Sequence, residues 1–276
     1  MENVSKEESI NWKIGLKIGL KTFVACFIGI MFIISSIFVL FPKMSLKINN
    51  ALGFVKLKEL NYQMIYDRSD KITDLYNVIV CEGELEKYSK ELEYIDEMLK
   101  REDYDEFCST MDKASLKSVS DKSMIPYSVN VNGYLMSRKV ICMYNLSING
   151  IDSYIYRQAG VGKLAEYSFS TYVDLVYEDD SLTDAQKREK LSFLMEMFDV
   201  SGIELSELVE KRIENINNNL KIEKNVEKQI ALQYTLVRIY RSRYYIYEAL
   251  GDESKKIENK TAYETAKTNL NNMINL

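Results

Sequence analysis

The sequence predicts an all-α protein, with an N-terminal transmembrane helix followed by an α-solenoid-like array of antiparallel helix hairpins. Three observations predict it. Twenty consecutive residues, Thr22 to Phe41, carry no charge. Only 2 Pro and 11 Gly occur among 276 residues, too few for the turns of a β-sandwich or barrel. Beyond the apolar run, apolar side chains recur three and four positions apart, the period of an amphipathic helix.

Residues 1–21 read as a short basic tail. Lys13, Lys17 and Lys21 stand four apart and so share one stripe of a helix, with Trp12 beside them. That pattern suits a juxtamembrane helix set against acidic headgroups, with an aromatic anchor at the interface. Gly15 and Gly19 have GxxxG spacing, which lets a second helix approach closely and makes them candidates for helix–helix contact in a homo-oligomer.

Residues 22–42 read as the transmembrane helix. The stretch TFVACFIGIMFIISSIFVLF spans ~30 Å at 1.5 Å per residue, the thickness of a hydrocarbon core. Pro42 ends it. A cleaved signal peptide fits less well, because the run is long for a signal core and no small-x-small cleavage site follows. The segment is therefore expected to act as a signal anchor of a single-pass protein.

Lysines flank the span on both sides: Lys6, Lys13, Lys17 and Lys21 before it, Lys43, Lys47, Lys56 and Lys58 after it. The short tail and its clustered lysines favour a cytoplasmic N-terminus and an extracytoplasmic C-terminal domain. Cys81, Cys108 and Cys142 point the other way, since an odd set of thiols makes no disulfide framework and exported domains avoid free thiols.

The remainder divides by pattern into a first helical part, 43–114, a loop, 115–134, and a second helical part, 135–276. Leu85, Tyr88, Leu92, Ile95 and Leu99 step by three and four, as do Leu205, Val209, Ile213, Ile216 and Leu220. The stretch 226–250 is apolar over a wide arc. Turns are expected at Asp67-Arg-Ser-Asp70, Ser201-Gly202 and Gly251-Asp252, and a helix start at Thr183, with Gln186 in capping-box position. The loop is Ser-rich and contains Pro126 and Gly133, with Tyr127-Ser-Val-Asn-Val as a short extended piece. In all, about nine or ten helices of roughly 12 to 28 residues are expected, joined by short turns.

In 230–274 a first helix ends in Tyr247-Glu-Ala-Leu-Gly251-Asp252 and a second carries Ala262 and Ala266. This segment resembles a tetratricopeptide unit, in which aromatics stack against small residues. The resemblance covers about 45 residues, with no 34-residue repeat elsewhere in the chain. It implies a concave face that binds peptide or protein.

Charge narrows the partners. Residues 1–47 hold six of the 36 basic and three of the 41 acidic side chains, which leaves 48–276 with a net charge of −8. An acidic domain makes a poor surface for phosphates, so no nucleic-acid partner is expected.

The chemistry is expected to be non-catalytic. The chain has no His, which removes Ser-His and Cys-His pairs and the HExxH zinc motif. Gly160-Val-Gly162-Lys163 lacks the first Gly and the Ser or Thr of a phosphate loop, with Arg157 and Leu164 in those places. Asp199 to Glu210 has the length of a calcium loop but Glu204 where Gly is required. Glu178-Asp-Asp180 reads as a solvated turn ahead of a helix. No catalytic residue, cofactor or metal is expected.

Arg238, Arg241 and Arg243 interleave with Tyr240, Tyr244, Tyr245 and Tyr247. Arg and Tyr are common anchors of protein interfaces, which makes Arg238, Arg241, Tyr244 and Tyr245 the candidate partner-binding residues. The competing reading packs the tyrosines inside and pairs the arginines with acids of a neighbouring helix. The function expected is a membrane-anchored scaffold or adaptor that binds a protein at the cell envelope. Its competitors are a ligand-binding sensor subunit acting through a partner's membrane helix, and a cytoplasm-facing tethered adaptor of a cell-division or stress complex.

Overall fold

Local stop signals cut the chain into helices, and the computed structural model, which describes residues 19–32, 35–36, 38–115, 131–159, 163–200 and 205–275, has no strand among them. The chain is all-α. It divides into two compact units, Met1–Cys81 and Glu82–Leu276.

The first unit begins with α1, helical over 19–32, 35–36 and 38–40. Among the described residues no helix is long and apolar enough to cross a membrane, so the transmembrane helix expected from the sequence is not shown. Residues 33, 34 and 37 of that run lie outside the described residues. Pro42 opens α2 (Pro42–Leu52), where its missing N–H is no loss. Gly53, at φ 70°, closes it in the left-handed conformation, and the Phe54 N–H bonds back to the Asn49 carbonyl at 3.0 Å. The chain returns as α3 (Val55–Ser69). The chain turns at Asp70, left-handed with its N–H on the Tyr66 carbonyl at 2.8 Å, whereas Asp67, Arg68 and Ser69 of the expected turn are the last residues of α3. Arg68 reaches back to the end of α1 and donates to the Val39 carbonyl at 2.5 Å and the Leu40 carbonyl at 3.4 Å. A cation there meets orphan carbonyls at the negative end of the helix dipole. α4 (Ile72–Glu84) follows.

The second unit contains α5 (Tyr88–Met98), α6 (Tyr104–Ser115), α7 (Val131–Asn145), α8 (Ile151–Ala159), α9 (Lys163–Glu178), α10 (Asp184–Val200), α11 (Leu205–Ile222), α12 (Val226–Leu250) and α13 (Glu253–Ile274). Helix lengths run from 9 residues in α8 to 25 in α12. Leu85 falls in the turn before α5 instead of on the helix, with Glu86 left-handed at φ 55°. Of the expected loop over 115–134, residues 116–130 lie outside the described residues, while Ser115 closes α6 and Val131 opens α7. Val131 and Leu135 are buried, which gives that stretch a reason to be helical.

Among the described residues, two hydrophobic cores hold this unit. Tyr172 lies at the centre of the first, among Met136, Val140, Tyr154, Ile155, Val176, Leu191 and Ile246. The second joins Ile213 and Ile216 of α11 to Ile230, Tyr234 and Val237 of α12 and to Ala266 and Leu270 of α13. Each fully buried Ile, Leu or Val contributes about 1.5–3 kcal/mol. α12 reaches both cores, through Ile246 and through Ile230 to Ile239.

Side-chain pairs set the helix directions. Gly133 meets the Tyr167 ring and Tyr144 donates to Asp179, so α7 and α9 run parallel. Arg238 meets Thr171, Arg241 meets Asp174 and Tyr245 meets Tyr177, so α9 and α12 also run parallel. α12 and α13 are antiparallel, since Glu248 faces Lys256, Tyr244 faces Lys260 and Gln233 bonds to the Ala266 carbonyl. Their turn is Gly251, left-handed at φ 74°, followed by Asp252, which accepts from the Lys255 N–H at 3.1 Å. α9 passes to α10 through the expected capping box: Thr183 N–H donates to Gln186 Oε1 at 2.9 Å and Gln186 N–H to Thr183 Oγ1 at 3.3 Å.

Candidate interaction surface

Helical spacing decides where the Arg/Tyr stretch of α12 points. Arg238, Arg241 and Tyr245 fall three and four apart, hence on one face, and that face lies on α9. Arg238 is 4% exposed. It donates to Thr171 Oγ1 at 2.8 Å and to the Tyr167 carbonyl at 3.3 Å, with its guanidinium 5.4 Å from the Tyr167 ring centre. Arg241 forms an ion pair with Asp174. Burial pushes the Asp174 carboxyl up, and the Arg241 and Arg238 charges oppose that rise. Tyr245 stacks on Tyr177, ring centres 3.8 Å apart and planes 3° from parallel. Burial pushes its hydroxyl up to about 12.

Tyr244 turns the other way, towards α13. Lys260 sits 5.7 Å from its ring centre, and its hydroxyl donates to Glu248 at 3.4 Å. The Tyr177 hydroxyl also donates to Glu248, while Lys256 lies 3.9 Å from that carboxylate. Arg243 pairs with Glu210 of α11 at 2.7 Å. The structure thus brings Arg241 and Tyr245 together on α9, with the Tyr244 ring beside Tyr245, centres 5.3 Å apart, on the side that meets α13. Arg238 bonds a hydroxyl and a carbonyl of α9, and Arg241 an acid of the same helix.

Of the residues read as a membrane interface, Trp12, Lys13, Gly15 and Lys17 lie outside the described residues. Gly19 and Lys21 are exposed on α1, and a Cβ on Gly19 would meet nothing within 4 Å.

A buried polar cluster escaped the sequence reading. Arg138 of α7 donates to both oxygens of Glu91 of α5, at 2.5 and 2.7 Å, and the Glu91 side chain is 0% exposed. Burial alone pulls the Arg138 guanidinium down, but its hydrogen bonds to the carboxylate reverse the sign and raise it. Cys142 donates to the same carboxylate at 3.3 Å, and burial together with the Glu91 charge pushes its thiol up. A thiol held protonated is a poor nucleophile. Its sequence signal is Glu91 itself, three residues after Tyr88 and four before Ile95, a charge on the apolar stripe. Cys81 and Cys108 are buried as well. Among the described residues no group of His, Cys, Asp or Glu is placed to hold a metal. Asp179 accepts from the Ser181 N–H and hydroxyl and from Tyr144, which lowers its carboxyl and marks it as a turn residue.

No protein-family model matches the chain, and no curated protein or solved structure is significantly similar to it. The tetratricopeptide resemblance of 230–274 therefore stands on its own residues, of which Ala266 is buried against α12.

Proposed function

We propose that this chain is a single-pass, membrane-anchored helical scaffold that binds a protein partner at the cell envelope, its helical domain extracytoplasmic. One observation carries the anchor. Every described side chain from 19 to 32 is exposed, including Leu20, Phe23, Phe27, Ile28 and Phe32, in a stretch uncharged from Thr22 to Phe41. A helix apolar on all sides is stable only where something other than water surrounds it. A bilayer fits that length.

The α-solenoid-like arrangement belongs to the same reading. Helices α7, α9 and α12 are parallel neighbours in a row, and α13 folds back antiparallel on α12. First helices of successive hairpins lie side by side in this way in helical repeats. Such a surface suits holding a partner more than enclosing a substrate.

The reverse orientation has one observation in its favour: Cys81, Cys108 and Cys142 are buried and form no disulfide. Topology decides between them. In cells carrying Cys26→Ser, single cysteines replace Ser5 or the exposed Ser181, and a membrane-impermeant maleimide is applied. Labelling at 181 alone supports the extracytoplasmic domain; labelling at 5 alone reverses it. Release of the intact chain from membranes by alkaline carbonate would sink the anchor. Absence of any crosslinked protein adduct in intact cells, with a photoreactive residue at Tyr244 or at the exposed Ile257, would sink the scaffold.

A further inference from the structure

Along α2 and the first half of α3 the hairpin has its polarity reversed, while Ile65 and Tyr66 further along α3 are buried. Ser45, Asn49, Glu59 and Asn61 are buried, whereas Met44, Ile48, Leu52, Phe54, Leu57 and Leu60 are each between 42% and 60% exposed. In α2 the exposed set falls at steps of four, one stripe of the helix. Phe54, Leu57 and Leu60 continue it at steps of three through the turn and along α3. Asn49 Nδ2 donates across the hairpin to Asn61 Oδ1 at 2.6 Å, and within α2 to Ser45 Oγ at 3.4 Å. Polar side chains bonded between helices, with apolar side chains outward, is the pattern that apolar surroundings select.

Charge names the surroundings. Residues 42–58 hold Lys43, Lys47, Lys56 and Lys58 and no acid, in a chain whose net charge is −5. Lys43, Lys47 and Lys56 are exposed, and each stands one position ahead of a stripe residue, so ammonium groups border the apolar surface. Lysines so placed extend their stems along the apolar surface and their charge to phosphates. Position agrees. α2 begins one residue after the uncharged run ends, and Arg68 at the far end of α3 bonds the last carbonyls of α1. Both ends of the hairpin thus sit where α1 ends.

We propose that the α2–α3 hairpin is seated in the headgroup region of an anionic bilayer, with its Met44–Ile48–Leu52 and Phe54–Leu57–Leu60 stripes on the acyl chains and Lys43, Lys47 and Lys56 on the lipid phosphates. This deepens the anchoring reading and rests on it for the position of the bilayer.

The test uses the full chain with Cys26→Ser and one added cysteine, Ile28→Cys, Ile48→Cys, Leu57→Cys or Asn219→Cys, carrying an environment-sensitive fluorophore. All four sites are exposed, so the label leaves the packing intact. Protein is reconstituted in phosphatidylcholine vesicles with or without phosphatidylglycerol, containing lipids spin-labelled on the acyl chain. The expected result is quenching at 48 and 57 but not at 219, stronger with phosphatidylglycerol, and diminished by Lys43→Glu/Lys47→Glu/Lys56→Glu. Quenching at 28 with 48 and 57 as unquenched as 219 overturns the hairpin proposal and leaves the anchor standing. No quenching at 28 or 48 overturns both. Shielding at 48 that follows protein concentration and ignores lipid spin labels assigns the stripe to a second copy and overturns the proposal. Equal quenching in both lipids, indifferent to the lysine reversal, overturns its anionic part.

Discussion

Arg138 grips Glu91 with two hydrogen bonds, 2.5 and 2.7 Å long, across helices α7 and α5, with the carboxylate sealed from water. The pair is possible because Gly83 stands beside it. A Cβ there would come 2.9 Å from Glu91 Oε1 and 3.0 Å from an Arg138 nitrogen.

Removing one partner of a buried pair leaves a charge with nothing to answer it. Glu91→Ala is expected to cost about 3–5 kcal/mol, whereas Glu91→Leu with Arg138→Met recovers most of that loss. Denaturant midpoints of the full chain in detergent give the comparison. A double variant as unstable as the single one would show that the pair's worth lies elsewhere.

Gly133 permits the parallel contact of α7 with α9. A Cβ at 133 would stand 2.6 Å from Tyr167 Cδ2, inside any real contact. Gly133→Ala should therefore destabilise the chain by about 1–3 kcal/mol through overpacking. Thermal unfolding reads it, and adding Tyr167→Ala should restore part of the loss; a midpoint unmoved by Gly133→Ala would contradict the packing described.

Burial raises Tyr245 to about 12 and lifts Tyr144, Tyr154, Tyr172 and Tyr177 as well. The folded chain thus prefers these phenols protonated. Their contribution is complete below the unfolded value of about 10 and is lost as pH rises through the folded values. Phenolate absorbance should rise in two stages, exposed tyrosines first and the buried set only as helicity collapses. A single early transition with intact helicity would rule the burial out.

Cys81, Cys108 and Cys142 are buried, and Cys142 is held protonated by burial and by Glu91. An aqueous thiol reagent should leave all three unmodified in the native chain and modify all three after denaturation, as counted by intact mass. Modification of Cys142 at the rate of a free thiol would be incompatible with its place on Glu91.

The parts legible in the sequence are those whose causes lie within a few residues. Thr183 and Gln186 cap a helix because each supplies what the other's backbone lacks, three positions away. Gly251 and Asp70 end helices because the left-handed conformation is local to a single residue. The wide apolar arc of 226–250 is visible because α12 is packed on several sides.

What escaped depends on partners far along the chain. The same Arg238 and Arg241 serve a binding face or an internal lock, and the choice belongs to Thr171 and Asp174, 67 residues earlier. Glu91 meets Arg138 across 47 residues, a distance over which no periodicity speaks.

By itself the sequence determined an all-α chain, an uncharged run of twenty residues and an excess of acid beyond residue 47, since composition and period are properties of the chain. Only the tertiary structure decided which stripe of each helix faces inward. In α2, Met44–Ile48–Leu52 and Ser45–Asn49 share the same four-residue spacing. Asn61 of α3, by pairing with Asn49, turns the polar stripe in and the apolar stripe out.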